Sequence, residues 1–331
     1  MTPELRQKLL LIPKAELHLH LEGSVKPETL WILAQKHPDH SRLHGIASLD
    51  DCKRLYSFSS FHGFIHAIKT ASLLMLGPEE YAEVVTCLAD DLKEQGVAYT
   101  EVFFSVGILI WRQLDPVPYF HAIEEARLEA ERTTGVRIGW IFDSVRQFGS
   151  EALDRVLDLA LTLQTSDSVL GIGIGGDEAA GPATWFTRQF ERARANGLRT
   201  TAHAGETCGP QSVWDTLNLL KPDRIGHGLH AIEDPRLIEA LAASQIVLDI
   251  CPTSNLKTGA WPPHLVHPAH SYYERGIKIA ISTDDPGIFG CTLLDEYAYL
   301  ADHCGFHETE LIDLALHSRP RRIRVAMDGC E

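Results

Sequence analysis

The sequence is short of almost everything that would tie it to a disulfide framework, a membrane or nucleic acid. Its 331 residues include only seven cysteines, at positions 52, 87, 208, 251, 291, 304 and 330. They are odd in number, scattered, and form no Cys-x-x-Cys pair. That excludes a disulfide scaffold and a thiolate zinc knot, and fits free thiols in a reducing compartment. No apolar run approaches the ~18 residues a membrane span requires. The first residues offer only Leu9 to Ile12, closed at once by Pro13 and Lys14, too short for a secretory signal. A cytoplasmic protein without a membrane partner is the expectation. Positive charge is also scarce: 30 Lys and Arg against 45 Asp and Glu leave a formal net charge of -15. Such an excess argues against nucleic acid as a partner. No Ser/Gly-rich linker, low-complexity tract or internal repeat divides the chain, so one domain over 1–331 is expected, with its oligomeric state left open.

What is present is a globular composition, 44% hydrophobic and 23% charged, able to bury a large core. Short β-rich runs recur at 15–21, 97–104, 136–142, 169–175, 199–204, 224–228, 246–250 and 277–282. Helical stretches separate them, among them 78–95, 119–133, 150–163, 183–196, 212–220 and 235–243. Strands alternating with helices indicate a parallel sheet, and eight such units predict a closed (β/α)8 TIM barrel. The first connection, 23–95, is far longer than the rest. Structureless loops of that length are rare, so it is read as a helical lid insertion after strand 1.

In such a barrel the chemistry sits at the carboxyl ends of the strands. His18 and His20 lie two apart in the first run, a spacing that places both imidazoles on one face of a strand. A His-x-His pair also occurs as ordinary core, but His203, His227, Asp284 and Asp285 fall at later strand ends. Three imidazoles and a carboxylate suit one borderline-soft divalent ion, zinc above all. Gly205 lets the chain turn so that Glu206 comes back beside His203, although an acid at a helix start is the plain alternative. Gly226 and Gly228 flank His227 and allow close approach. Asp284 and Asp285 are adjacent and must diverge, one toward a metal and the other toward a substrate, unless they form an Asx turn or cap before Pro286.

Two other patterns fail. Gly171, Gly173 and Gly176 match Gly-x-Gly-x-x-Gly, but they lie inside a strand-like run, which argues against a dinucleotide site. The Pro-Cys-x-x-Cys of the other zinc deaminase plan is absent, with Cys251 and Pro252 in reversed order.

Taken together, His18, His20, His203–Glu206, His227, Asp284–Asp285 and the Gly175-Gly176 pair resemble the adenosine deaminase branch of the metal-dependent amidohydrolases, over about 13–297. The resemblance implies that His18, His20, His203 and Asp284 bind one zinc ion. It implies that Glu206 protonates purine nitrogen 1 and that His227 orients and deprotonates the attacking water. Asp285 would meet nitrogen 7, and the Gly176 backbone nitrogen 3. The segment 169–178 has no lysine, in keeping with one metal. The implied partner is a small 6-aminopurine nucleoside, which loses its amine as ammonia.

Substrate choice rests on finer features. Glu22 stands where adenosine deaminases usually carry Asp, and Ser105 follows Phe104 where adenine deaminases tend to carry an acid. The stretches at 56–64, where Phe58, Phe61 and Phe64 repeat at helical spacing in the expected lid, and at 140–149, with Trp140, Phe142 and Arg146, are similar to aminodeoxyfutalosine deaminases. Those act on an adenine nucleoside with an aryl carboxylate at its 5′ end, in a menaquinone route. On that reading Phe58 and Phe61 hold the aryl group and Arg146 pairs with its carboxylate, against the ordinary alternatives of core packing and a structural arginine. Adenosine or adenine deamination, another hydrolysis on the same barrel, and a binding protein without activity are the competing readings. The arginine-rich stretch at 319–324 departs from the family and predicts a shortened last helix.

Overall fold

The computed structural model describes residues 1–318, so the arginine-rich stretch lies outside the described residues. Eight strands form one parallel sheet in chain order: β1 (Lys14–His20), β2 (Val97–Phe104), β3 (Arg137–Val145), β4 (Val169–Gly175), β5 (Arg199–Ala204), β6 (Arg224–His227), β7 (Val247–Ile250) and β8 (Lys278–Ile281). They are buried almost throughout, as strands covered on both faces must be. Just beyond β8 a parallel bridge joins Leu19 to Asp284. The His20 amide donates to Asp284 O at 2.8 Å and the Asp284 amide to His18 O at 3.1 Å. The seam that closes the barrel therefore brings His18, His20 and Asp284 to one point.

The strands agree with the sequence reading to within a residue or so, except that β3 runs on to Val145 and carries Asp143 with it. Two helical expectations need correction. The stretch at 183–196 is a short 3-10 turn (Ala183–Trp185) followed by a helix over Thr187–Ala195. The stretch at 212–220 begins earlier, as a helix over Pro210–Asp215, and widens into a π turn over Thr216–Leu220. The long first connection holds helices over Pro27–Lys36, Pro38–Leu43, Leu49–Leu55, Phe61–Leu74 and Pro78–Glu94. Phe58 precedes the fourth of these, whose N-cap is Ser60, so the three phenylalanines do not share one helical stripe.

The barrel's centre is ionic, where a barrel of this kind ordinarily stacks apolar layers. The Arg224 guanidinium pairs with Glu101, lies 3.2 Å from both Asp249 oxygens and donates to Leu17 O at 2.8 Å. All three ionic side chains are buried. This column stands below the histidine cluster.

Candidate active site

Four donor groups converge at the carboxyl end of the barrel. The Nε2 atoms of His18 and His20 lie 3.0 and 3.3 Å from Nε2 of His203, and both lie 3.3 Å from Asp284 Oδ1. Two of the rings are aimed by their other edge. His203 Nδ1 is 2.9 Å from the Ile174 carbonyl, so it carries the proton and leaves Nε2 a bare acceptor pointing inward. His18 Nδ1 faces Asp249 Oδ2 at 3.3 Å. Ser254 donates to Asp284 Oδ2 at 2.7 Å. Asp284 has φ +68 and His227 φ +63, left-handed values that a non-glycine side chain adopts at a cost.

The glycines explain how the rings fit. A Cβ on Gly226 would lie 2.7 Å from His18 Cε1, and one on Gly175 would lie 3.1 Å from His203 Cε1. The flat ring that Gly175 admits is thus a histidine of the site itself. Gly171 and Gly173 are packed against Arg199 O and Phe103, which removes the dinucleotide pattern from consideration.

The donor set draws positive charge. Burial opposes protonation of His18, but hydrogen bonds to Asp249 and Asp284 outweigh it and raise the group to about 9. Three imidazoles, one of them so contested, and a carboxylate form a nest that a divalent cation satisfies, because metal binding displaces just such a proton. His18, His20, His203 and Asp284 each offer a ligand atom within 4.8 Å of the others. His227, Cys251 and Asp284 form a second, overlapping set. It is the poorer one, because burial and then Asp284 push the Cys251 thiol well up, away from the thiolate a metal needs.

Around this cluster an open cavity of about 600 Å³ is lined by Glu206, Asp285, Gly176, Ser105 and Asp143, and on its outer wall by Phe61 and Phe64. Glu206 lies in the turn after β5, ahead of the helix at Pro210, so the helix-start alternative falls away. Gly205 has φ +67, the turn that glycine permits. Burial first, then Asp284 and Glu178, hold the Glu206 carboxyl well above the usual range. Asp285 makes no cap hydrogen bond to the helix it precedes, and its Oδ1 is buried without a partner. Gly176, with φ +92, turns its backbone along the cavity wall.

His227 Nε2 is 3.7 Å from Glu206 Oε2 and 3.9 Å from Asp284 Oδ2. A chain of donors assigns its tautomer. The Ala269 amide donates to His267 Nδ1, His267 Nε2 then donates to Asn255 Oδ1, and the Asn255 amide donates to His227 Nδ1. Burial keeps His227 down at about 4, hence neutral, with its Nε2 proton facing the site.

Three residues beyond the sequence reading shape the site. Glu178 accepts from the amides of Gly205, Glu206 and Thr207 at 2.7, 2.8 and 2.9 Å, and so clamps the turn that carries Glu206. Asn255 and Asp249 aim two of the rings. Only contacts across the fold reveal Asn255 and Asp249; Glu178, in the same segment as the Gly-Gly pair, had a local signal.

The remaining expected residues divide. Glu22 is buried, accepts from the Ser105 amide at 3.2 Å, and keeps Oε2 unpartnered. Burial and then Asp143 raise it to about 8. Phe61 lines the cavity, whereas Phe58 packs against Phe64 and Phe289. Arg146 is a correction. It is 1% exposed, with its guanidinium on the backbone oxygens of Gly181 and His203. Both of its NH groups are spent on those carbonyls, its unpartnered Nε is buried, and it lines neither the reaction cavity nor its approach, so it presents no fork to a substrate carboxylate.

The adenosine deaminase family model matches residues 13–319. An aminodeoxyfutalosine deaminase from Streptomyces avermitilis is 36% identical, over 93% of this chain and 85% of that one. An adenine deaminase from Ectopseudomonas mendocina is 32% identical, over 94% and 98%. Among solved structures, an adenine deaminase from Arthrobacter aurescens superposes with a TM-score of 0.84 at 26% identity, covering 92% of this chain and 91% of that one. A zinc-bound amidohydrolase from Burkholderia ambifaria gives the same TM-score and identity, covering 94% and 86%.

Proposed function

The chain belongs to the adenosine deaminase family, and from that premise we propose that it is a zinc-dependent deaminase of a 6-aminopurine nucleoside, converting 6-amino-6-deoxyfutalosine to futalosine in menaquinone biosynthesis. The observation that carries the reading is one cavity holding the His18, His20, His203 and Asp284 cluster together with Glu206, Asp285 and Gly176.

His18, His20, His203 and Asp284 would hold the zinc ion, which would supply Lewis acidity near neutral pH. The chain's own residues do the rest. Glu206, protonated in its buried setting, donates to ring nitrogen 1, so the purine accepts the electron pair without becoming an anion. Asp285 and the Gly176 backbone orient the ring at its other nitrogens. His227 holds the attacking water through its Nε2 proton. Removing a proton through the same imidazole requires the Asn255 amide to turn over, because Nδ1 accepts in the arrangement described.

A nucleoside is favoured over the free base by Glu22 and Asp143. Each keeps one buried carboxyl oxygen without a partner; Asp143 lines the cavity, Glu22 lies behind it on the Ser105 amide, and sugar hydroxyls supply missing donors. The relatives' names, aminodeoxyfutalosine deaminase and adenine deaminase, divide on this same point. The test is a panel of adenine, adenosine and the 5′-aryl nucleoside followed by absorbance, with zinc measured in the same sample. The aryl nucleoside is expected to be turned over fastest. Much faster release of ammonia from adenosine or adenine would overturn the assignment.

A further inference from the structure

A second groove, with about 710 Å³ of open space, adjoins the reaction cavity. The two share Ile65, Ile68, Ile108 and Val145, and beyond these the groove is walled by Trp111 and Phe148. The two aromatic rings are nearly parallel, 6° apart with centroids 5.7 Å from one another, and Trp111 is 52% exposed. Lys69 reaches over the Trp111 ring, its Nζ 5.9 Å from the centroid.

An exposed tryptophan stacked on a half-buried phenylalanine beside the reaction cavity marks a surface built for a ligand. The charge beside them is positive. Neither Lys69 nor the nearby Arg112 forms an ion pair among the described residues, although the protein as a whole is strongly acidic. Arg112 is turned to the carbonyls of Ser72 and Met75. Lys69 is left exposed at the rim.

We propose that this groove is a substrate subsite for a flat apolar extension that ends in a carboxylate. The extension lies against Trp111 and Phe148, and Lys69 pairs with the acid. This rests on the cavity being a 6-aminopurine site. The metal cluster and Glu206 hold the reacting edge of the purine, so the opposite end of the nucleoside points across Ile65, Ile68, Ile108 and Val145 into the groove. A phosphate at that end fits less well, because the walls are apolar and aromatic and offer no guanidinium fork. Lys69 takes the part that Arg146, committed to backbone carbonyls, cannot play.

The test compares the native protein with Lys69→Glu and Trp111→Ala on adenosine, AMP, an adenine nucleoside carrying a 5′-linked benzoate, and its methyl ester. Lys69→Glu should lower the kcat/KM ratio of benzoate to ester by about two- to fivefold, the worth of an exposed ion pair. Trp111→Ala should lower benzoate and ester together relative to adenosine. Calorimetry with the 6-oxopurine product bearing the same benzoate reads the groove without turnover and should show a matching loss of affinity in Lys69→Glu. Unchanged ratios, a preference for AMP, or a Trp111→Ala variant that alters only the oligomeric state would overturn the proposal. A native protein that deaminates adenosine yet binds the benzoate product no better than inosine would sink the groove alone. A native protein that deaminates no 6-aminopurine would sink the deaminase reading instead.

Discussion

Asp249 Oδ2 lies 3.3 Å from His18 Nδ1, on the edge of the ring opposite the one turned to His203 and Asp284. The same carboxylate sits 3.2 Å from Arg224 Nε, whose guanidinium also pairs with Glu101. A histidine of the four-residue cluster is therefore anchored to a charged group at the barrel's centre. Outer partners of this kind set both the tautomer and the orientation of a ligand. Asp249→Asn should weaken metal affinity about 10- to 100-fold, by competition with a chromophoric chelator. Undiminished affinity would show that the column serves packing alone.

Glu206→Gln keeps the size of the side chain and removes the transferable proton. Metal content and melting temperature should stay near the native values, while kcat falls by about 10²- to 10⁴-fold. Absorbance assays and metal analysis on one preparation decide this. Near-native turnover would take Glu206 out of the acid role.

Glu178→Gln places an amide donor among groups that already donate, the amides of Gly205, Glu206 and Thr207 and the Ser212 hydroxyl. Despite its burial, those hydrogen bonds hold the native carboxylate below its usual range. A loss of about 2 kcal/mol in stability is expected, together with a fall in kcat, because the turn carrying Glu206 loosens. If urea unfolding shows the stability loss while kcat stays native, the clamp has no part in placing the acid.

Chelation should abolish ammonia release and lower the melting temperature, because a bound ion stabilises only the folded chain. Added zinc should restore both. Full turnover in metal-free protein would end the metal-dependent reading.

Glu296, which is not one of the four clustered donors, gives a pH signature of its own. Burial raises its carboxyl to about 8 from an ordinary 4.5. Between those values the folded chain holds a proton that the unfolded chain has released. Stability therefore declines as pH rises across that window, by up to ~1.4 kcal/mol per pH unit from this group. Glu296→Gln retains an acceptor for the Thr253 amide, 3.1 Å away, and removes the titration. The variant should gain on the native protein steadily from pH 5 to 8 in urea unfolding. Parallel stability curves would show that Glu296 does not titrate there.

Much of the site was legible because its residues carry local marks. His18 and His20 share a strand face by spacing alone, Gly205 announces the turn before Glu206, and the neighbours Asp284 and Asp285 must diverge. What was not legible depends on the seam and on burial. Arg146 looked available at a strand end, yet the fold turns it onto Gly181 and His203 carbonyls. Phe58 looked like part of a helical stripe, yet the helix begins at Phe61. Asp249, Asn255 and the Trp111–Phe148 pair carry no local sign of their roles.

The sequence by itself determined the alternation of strands and helices and the types of group that meet at the site, because periodicity and side-chain chemistry are local properties. Only the tertiary structure decided which of those groups face one another, which are exhausted on backbone carbonyls, and where the open groove lies. The physical reason is that closing the barrel brings Asp284 beside His18 and His20 across more than 260 positions of chain, and desolvation there sets the charge each group carries.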